Sequence, residues 1–196
     1  CTFEENVFFA PPWSESDSLA VIFKQEAHFN SSEFLGQVSF HGATFEQTAG
    51  FDGCIFRGVA SFRQAIFNGP AAFRAASFKG YSLLNDAVFN SEARFTNTLF
   101  DKAGNFSGVT FNDIADFTGV YSGSKAVPIH DGITFTRHCY GDDETFWRFA
   151  KQAAQEAGYY QMAGESFYRE RCARLWCRIH GPGYHKLPKS QKVWRQ

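Results

Sequence analysis

Aromatic spacing restricts what this chain can fold into more than any other feature. Phenylalanine stands at positions 23, 29, 34, 40, 45, 51, 56, 62, 67, 73, 78, 89, 95, 100, 106, 111 and 117, with Leu84 taking the one remaining place. The steps alternate six and five, which makes an eleven-residue period held over eighteen consecutive units. On an α-helix, at about 100° per residue, those steps rotate the aromatic by about 140° and 240° and scatter it over two separate stripes. Glycine also recurs two residues after the aromatic, at Gly36, Gly42, Gly53, Gly58, Gly69, Gly80, Gly108 and Gly119. Such a column is hostile to a helix interior and natural where a chain turns a corner. Two residues before each aromatic the side chain is small, most often alanine, as at Ala43, Ala60, Ala65, Ala76 and Ala93. In an extended segment these two positions share a face. Each unit therefore sends one small and one large side chain inward and then turns, which describes a β-solenoid.

Units such as Ala43-Thr44-Phe45, Ala60-Ser61-Phe62 and Ala76-Ser77-Phe78 resemble the pentapeptide-repeat family in a Phe-rich form, over roughly half of the chain. The resemblance implies a mainly β fold: a right-handed four-sided β-helix with one unit on each side. Four units here bring the chain from Phe23 to Phe45, a turn of twenty-two positions. The extra residue in alternate units predicts a bulged corner. Eighteen units then give about four and a half turns, a rod of roughly 20 Å at ~4.8 Å per stacked strand. Residues one turn apart stack, so Phe23, Phe45, Phe67, Phe89 and Phe111 form one ladder. A two-sided solenoid with a single eleven-residue period per turn is the competing arrangement, and it would have to seat two rings in each narrow coil.

Five segments follow: an N-terminal cap over 1–20, the β-helix over 21–119, a loop and last β unit over 120–136, an αα-hairpin cap over 137–181, and a basic tail over 182–196. Residues 1–20 hold Pro11-Pro12 beside Val7, Phe8, Phe9 and Trp13, read as an irregular cap over an open sheet edge, with a proline-rich docking segment as the alternative. Ile133-Thr134-Phe135 looks like one last β unit. From Asp142 the period becomes helical, with Phe146, Phe149, Ala150, Ala153 and Ala157 on one face. Asp142 or Asp143 can start that helix and Gly158 can end it. A second helix is expected from about Tyr160 to His180, with Tyr168, Cys172, Leu175 and Ile179 as its apolar seam and Glu144–Arg148, Glu165–Arg169 and Glu170–Arg174 as i,i+4 pairs. Gly158-Tyr159-Tyr160 and Phe167-Tyr168-Arg169-Glu170 are similar to the helical pair of Phe-rich pentapeptide-repeat proteins, some of which continue into membrane spans.

Motifs that carry chemistry are sparse. His138, Cys139, Cys172, Cys177, His180 and His185 gather in the last third without any CxxC pair or standard zinc spacing, so no metal site is assigned. No GxSxG, HExxH or P-loop pattern occurs, so no catalytic residue or cofactor is assigned and the chain reads as a non-enzyme. The five cysteines are scattered and make no disulfide framework, which favours a reducing, cytoplasmic setting. The start at Cys1 reads as a fragment, with a processed or lipid-bearing extracytoplasmic protein as the alternative. The net charge is −1, and no apolar run is long enough to span a membrane.

Charge separates the remaining functions. Residues 137–196 hold eleven bases against six acids. Arg171, Arg174 and Arg178 form a stripe on the second helix, and Lys186, Lys189, Lys192 and Arg195 follow among Tyr184 and Trp194. These seven are the candidate partner contacts, for a protein or an anionic membrane surface. Between 21 and 119, nine acids are interspersed with seven bases. Some pentapeptide-repeat proteins mimic duplex DNA and bind type II topoisomerases, but such mimicry needs a dense negative surface, about one charge per 1.7 Å. The expectation is an interaction scaffold with a protein partner. A soluble part of a membrane-associated assembly ranks second, a DNA mimic third, and nucleic-acid binding is not expected.

Overall fold

A computed structural model describes residues 1–9, 20–124, 126–136 and 142–180, the last segment with side chains at 143–176. Two-residue strands stack into four parallel sheets, the walls of a β-solenoid of about five turns. The first wall holds Glu33–Phe34, Ile55–Phe56, Ser77–Phe78 and Leu99–Phe100; the second holds Val38–Ser39, Ala60–Ser61, Ser82–Leu83 and Gly104–Asn105. The third holds Ile22–Phe23, Thr44–Phe45, Ile66–Phe67, Val88–Phe89 and Thr110–Phe111; the fourth holds Ala27–His28, Ala49–Gly50, Ala71–Ala72, Ala93–Arg94 and Ala115–Asp116. Ala60 pairs with Ser82 and Phe67 with Phe89, the spacing read from the sequence, so each turn of the chain adds one strand to every wall.

Inside, the rings stack along each wall and meet edge-on across walls. Phe67 and Phe89 lie 4.7 Å apart with planes 1° from parallel, whereas Phe51 and Phe62 lie 5.2 Å apart at 81°. Ladder rings from Phe34 to Phe111 are fully buried, and the alanines two residues before them fill the space between. Each buried ring contributes on the order of 2–3 kcal/mol, and the favourable ring geometry adds to it. Leu84 occupies a ring position in the second wall and is equally buried.

The alternation of six and five comes from two kinds of corner. After the second and fourth walls the chain makes a tight turn closed by bonds such as Ala43 N–H to the Phe40 carbonyl at 3.0 Å. One residue in each such turn is left-handed: Ser31, Gly42, Gly53, Gln64, Ala75, Asp86, Asn97, Gly108 and Gly119, one in every double unit. Across the corners after the first and third walls the step from ring to ring is six residues instead of five, and no residue there is left-handed. Glycine serves there for another reason: a Cβ on Gly80 would strike the Gly58 carbonyl of the coil before it. The expected bulge is thus a second corner type.

The solenoid runs past both expected boundaries. Residues 1–9, expected as a cap, supply Thr2–Phe3 and Val7–Phe8, which pair with Glu33–Phe34 and Val38–Ser39. Phe3 stacks on Phe34 at 4.7 Å and Phe9 on Phe40 at 4.6 Å. The proline pair lies outside the described residues. Downstream, Tyr121–Ser122 joins the first wall, Ile129 bridges to Asn105 in the second, and Thr134–Phe135 pairs with Thr110–Phe111 in the third. Residues 120–136 are therefore a further coil, lengthened at one corner.

Helix α1 spans Asp142–Glu156 and α2 spans Tyr160–His180. Asp142, Asp143 and Glu144 occupy the first turn of α1, where acids suit the helix dipole. Gly158 takes φ 79° at its end. Phe146 of α1 lies over the last coil, 5.0 Å from the Phe117 ring and 5.6 Å from those of Phe106 and Phe135.

Candidate functional site

Four of the seven bases on the rod surface pair with acids. Arg57 pairs with Glu33 at 2.6 Å, Lys79 with Asp101 at 3.0 Å, Arg74 with Asp52 and Arg94 with Glu92. Asn68, Asn90 and Asn112 form an amide ladder with 2.8 Å bonds between coils. Cys54 is a core residue; burial pushes its thiol up to about 11, and it donates to the Phe29 carbonyl. The exposed ion pairs each contribute little to stability.

The hairpin inverts the expected arrangement of α2. The face against α1 carries Ala163, Ser166, Glu170 and Ala173, all buried. Tyr168, Cys172 and Leu175, expected as the seam, point outward: Tyr168 is 70% and Leu175 58% exposed. The reason is steric. Ala150, Ala153 and Ala154 of α1 are buried at the interface, and small residues on both helices let them approach too closely for large side chains to fit between. Glu170, only 3% exposed, is held there by Lys151 Nζ at 2.6 Å, Arg174 Nη2 at 3.0 Å and Arg148 Nε at 3.4 Å. Burial alone would push its carboxyl up, but hydrogen bonds and charge from Lys151 and Arg148 outweigh that and hold it below the ordinary range.

Between α2 and the last coil lies a groove of about 910 Å³. Ile133, Thr134 and Phe135 form one side, Gly164, Tyr168, Cys172 and Trp176 the other, and Trp147 of α1 is buried at its base. The Arg169 guanidinium lies 4.8 Å over the Trp147 ring. His130 lies 5.1 Å from the same indole and takes the ladder position that Phe106 holds one coil earlier. Burial lowers the His130 pKa, and Arg169 lowers it further.

The candidate partner contacts divide. Arg171 is exposed, its guanidinium 5.9 Å from the Phe167 ring. Arg174 is engaged inside the molecule by Glu144 and Glu170. The side chain of Arg178, and Lys186, Lys189, Lys192 and Arg195, lie outside the described residues, as do His138, Cys139 and His185 and the side chains of Cys177 and His180; Cys172 is exposed beside Tyr168. Of the anticipated ion pairs, Glu144–Arg148 and Glu170–Arg174 form. Charge patterning alone missed the groove. Its available signal was Tyr168, Cys172 and Trp176, spaced four apart on a helix whose opposite face is small.

Among the described residues no helix is long and apolar enough to cross a membrane. Neither the curated proteins nor the solved structures yield a match to the chain. The family model described as pentapeptide repeats (9 copies) matches residues 20–62, 29–77 and 51–99, all within the four-walled rod. With those repeats building its walls, the chain is a pentapeptide-repeat protein.

Proposed function

We propose that this protein is a non-enzymatic interaction scaffold. The rod supplies a stiff base, the hairpin closes its C-terminal end, and the partner docks at the junction of the two. One observation carries this reading: Phe167, Tyr168, Leu175 and Trp176 are exposed on a single helix beside an apolar groove. Aromatic side chains and arginine, here with Arg169 and Arg171 among them, dominate the centres of protein interfaces. The paired charges of the rod support ranking a DNA mimic low. Affinity purification from the native host, with the wild-type chain and a Tyr168→Ala/Trp176→Ala variant, tests the reading. A partner retained by the first and lost by the second is expected; identical sets would refute it.

The same exposed aromatics and arginines favour one second reading, docking on an anionic membrane surface. Co-sedimentation with phosphatidylserine vesicles, lost in high salt and in the same variant, is its expected signature.

A further inference from the structure

The third wall of the solenoid ends differently from the fourth. Along the third wall, each coil donates two backbone N–H groups to carbonyls of the coil before it. Thr110 and Asn112 donate to Ala87 and Phe89 at 3.0 and 2.8 Å, and Thr134 and Thr136 donate to Val109 and Phe111 at 2.8 and 2.9 Å. In the last coil the corresponding acceptors are the carbonyls of Ile133 and Phe135. No backbone N–H among the described residues donates to either. On the fourth wall, by contrast, the terminal Phe117 N–H finds the Thr145 Oγ1 of α1 at 3.1 Å. Among the described residues α1 thus supplies an acceptor to the end of the fourth wall and no donor to the end of the third, where Ile133, Thr134 and Phe135 form one side of the groove.

Resting on the scaffold reading above, we propose that the groove binds an extended peptide segment of a partner protein by strand addition to the third wall. The segment donates two alternate backbone N–H groups to Ile133 and Phe135 and lodges one large apolar side chain against Trp147, Tyr168 and Trp176. The open edge selects this occupant over the alternatives. Acceptors two residues apart on a strand match N–H groups two apart on another extended chain. A helix has already committed its N–H groups to its own carbonyls, and a bilayer surface offers no backbone donors and cannot fill a concave site. Strand addition supplies the hydrogen bonds and the neighbouring pocket supplies selectivity.

The test selects heptapeptides from a random displayed library on the full chain, then compares the tightest synthetic peptide with analogues N-methylated at each position. Methylation at two alternate positions is expected to weaken binding at least about tenfold each, or ~1.4 kcal/mol. Peptide addition is expected to shift the carbonyl carbon resonances of Ile133 and Phe135. Gly164→Leu places a side chain in the groove where nothing lies within 4 Å of a Cβ, and it favours the helix, so the fold is kept while peptide binding is lost. Helical peptides that occupy the groove and ignore N-methylation overturn the inference. Peptides that bind equally well to Gly164→Leu lie elsewhere on the molecule; they overturn it but leave the scaffold reading standing. No retained peptide, with the chain instead sedimenting on phosphatidylserine vesicles, overturns both.

Discussion

The rod and the hairpin are built on opposite rules within one chain. In the rod, large rings lie inside and charged groups, four bases of them in ion pairs, lie outside. In the hairpin, alanines and a carboxylate with three cationic partners lie inside, while Tyr168, Leu175 and Trp176 face out. A stacked coil gives every unit the same neighbours one turn away, so one inward pattern satisfies all of them. Two closely packed helices exclude large side chains, and those side chains become a surface available for binding. Residue size alone therefore does not say which side is the core; the spacing allowed by the backbone does.

The comparison breaks first if truncating a ring does not unfold the rod. Phe73 stacks on Phe51 and Phe95 at 5.0 and 4.9 Å, so Phe73→Ala is expected to cost about 3–5 kcal/mol, against under ~0.5 for Tyr168→Ala. Chemical denaturation of both variants decides it, and equal losses would mean that α2 has a core of its own on its outer face.

Glu170→Ala comes next. It leaves Arg148, Lys151 and Arg174 without their shared carboxylate, at a cost of about 2 kcal/mol, below the range for a fully buried pair because the cations are partly exposed. Circular dichroism in the helical band on heating should show the helical signal lost earlier than the rod signal. Because the Glu170 pKa is lowered by folding, this stabilisation is present above its ordinary value of 4.5 and declines as pH falls below it.

His130 sharpens the boundary between the two regions. Its folded pKa is lowered from 6.5, chiefly by burial and then by Arg169, with Asp131 and Glu165 opposing. The unfolded chain therefore takes up the proton first, and the contribution to stability is full above pH about 6.5 and falls below it. His130→Phe puts a phenyl ring in the ladder and should remove the decline of the melting temperature below about pH 6.5. An unchanged slope would place the titrating group elsewhere.

A last pair of substitutions separates the two uses of glycine. Ala75→Gly relieves a left-handed alanine at φ 54° and is expected to stabilise by up to ~1 kcal/mol. Gly80→Ala, at a corner with no left-handed residue, should destabilise by about 1–3 kcal/mol through contact with the coil below. If both changes moved the melting temperature the same way, the two corners would share one constraint.

Much of the rod was legible because repetition turns each position into many readings of one environment; Leu84 could be assigned from its neighbours alone. The first coil was not, because Thr2 pairs with Glu33, a longer step than the one from Ala60 to Ser82. Two rings ahead of such an interruption are too few to show a period. The further coil was hidden likewise by the lengthened step from Thr110 to Thr134 and by His130 in place of a ring. The helix limits followed from Gly158 and the change of period. The orientation of α2 did not, since a large apolar stripe reads as a core until the small residues opposite it are seen to pack.

The interruption between Phe9 and Phe23 has a consequence for how such a chain can be altered. Phe3 and Phe34 are parallel to within 5° despite the longer detour between their coils. Growth of the rod is therefore quantised: duplicating one whole turn adds one storey, while added sequence confined to a corner leaves the storeys aligned. Corners act as ports where foreign segments can be spliced in, and the walls keep count regardless of what is hung from them.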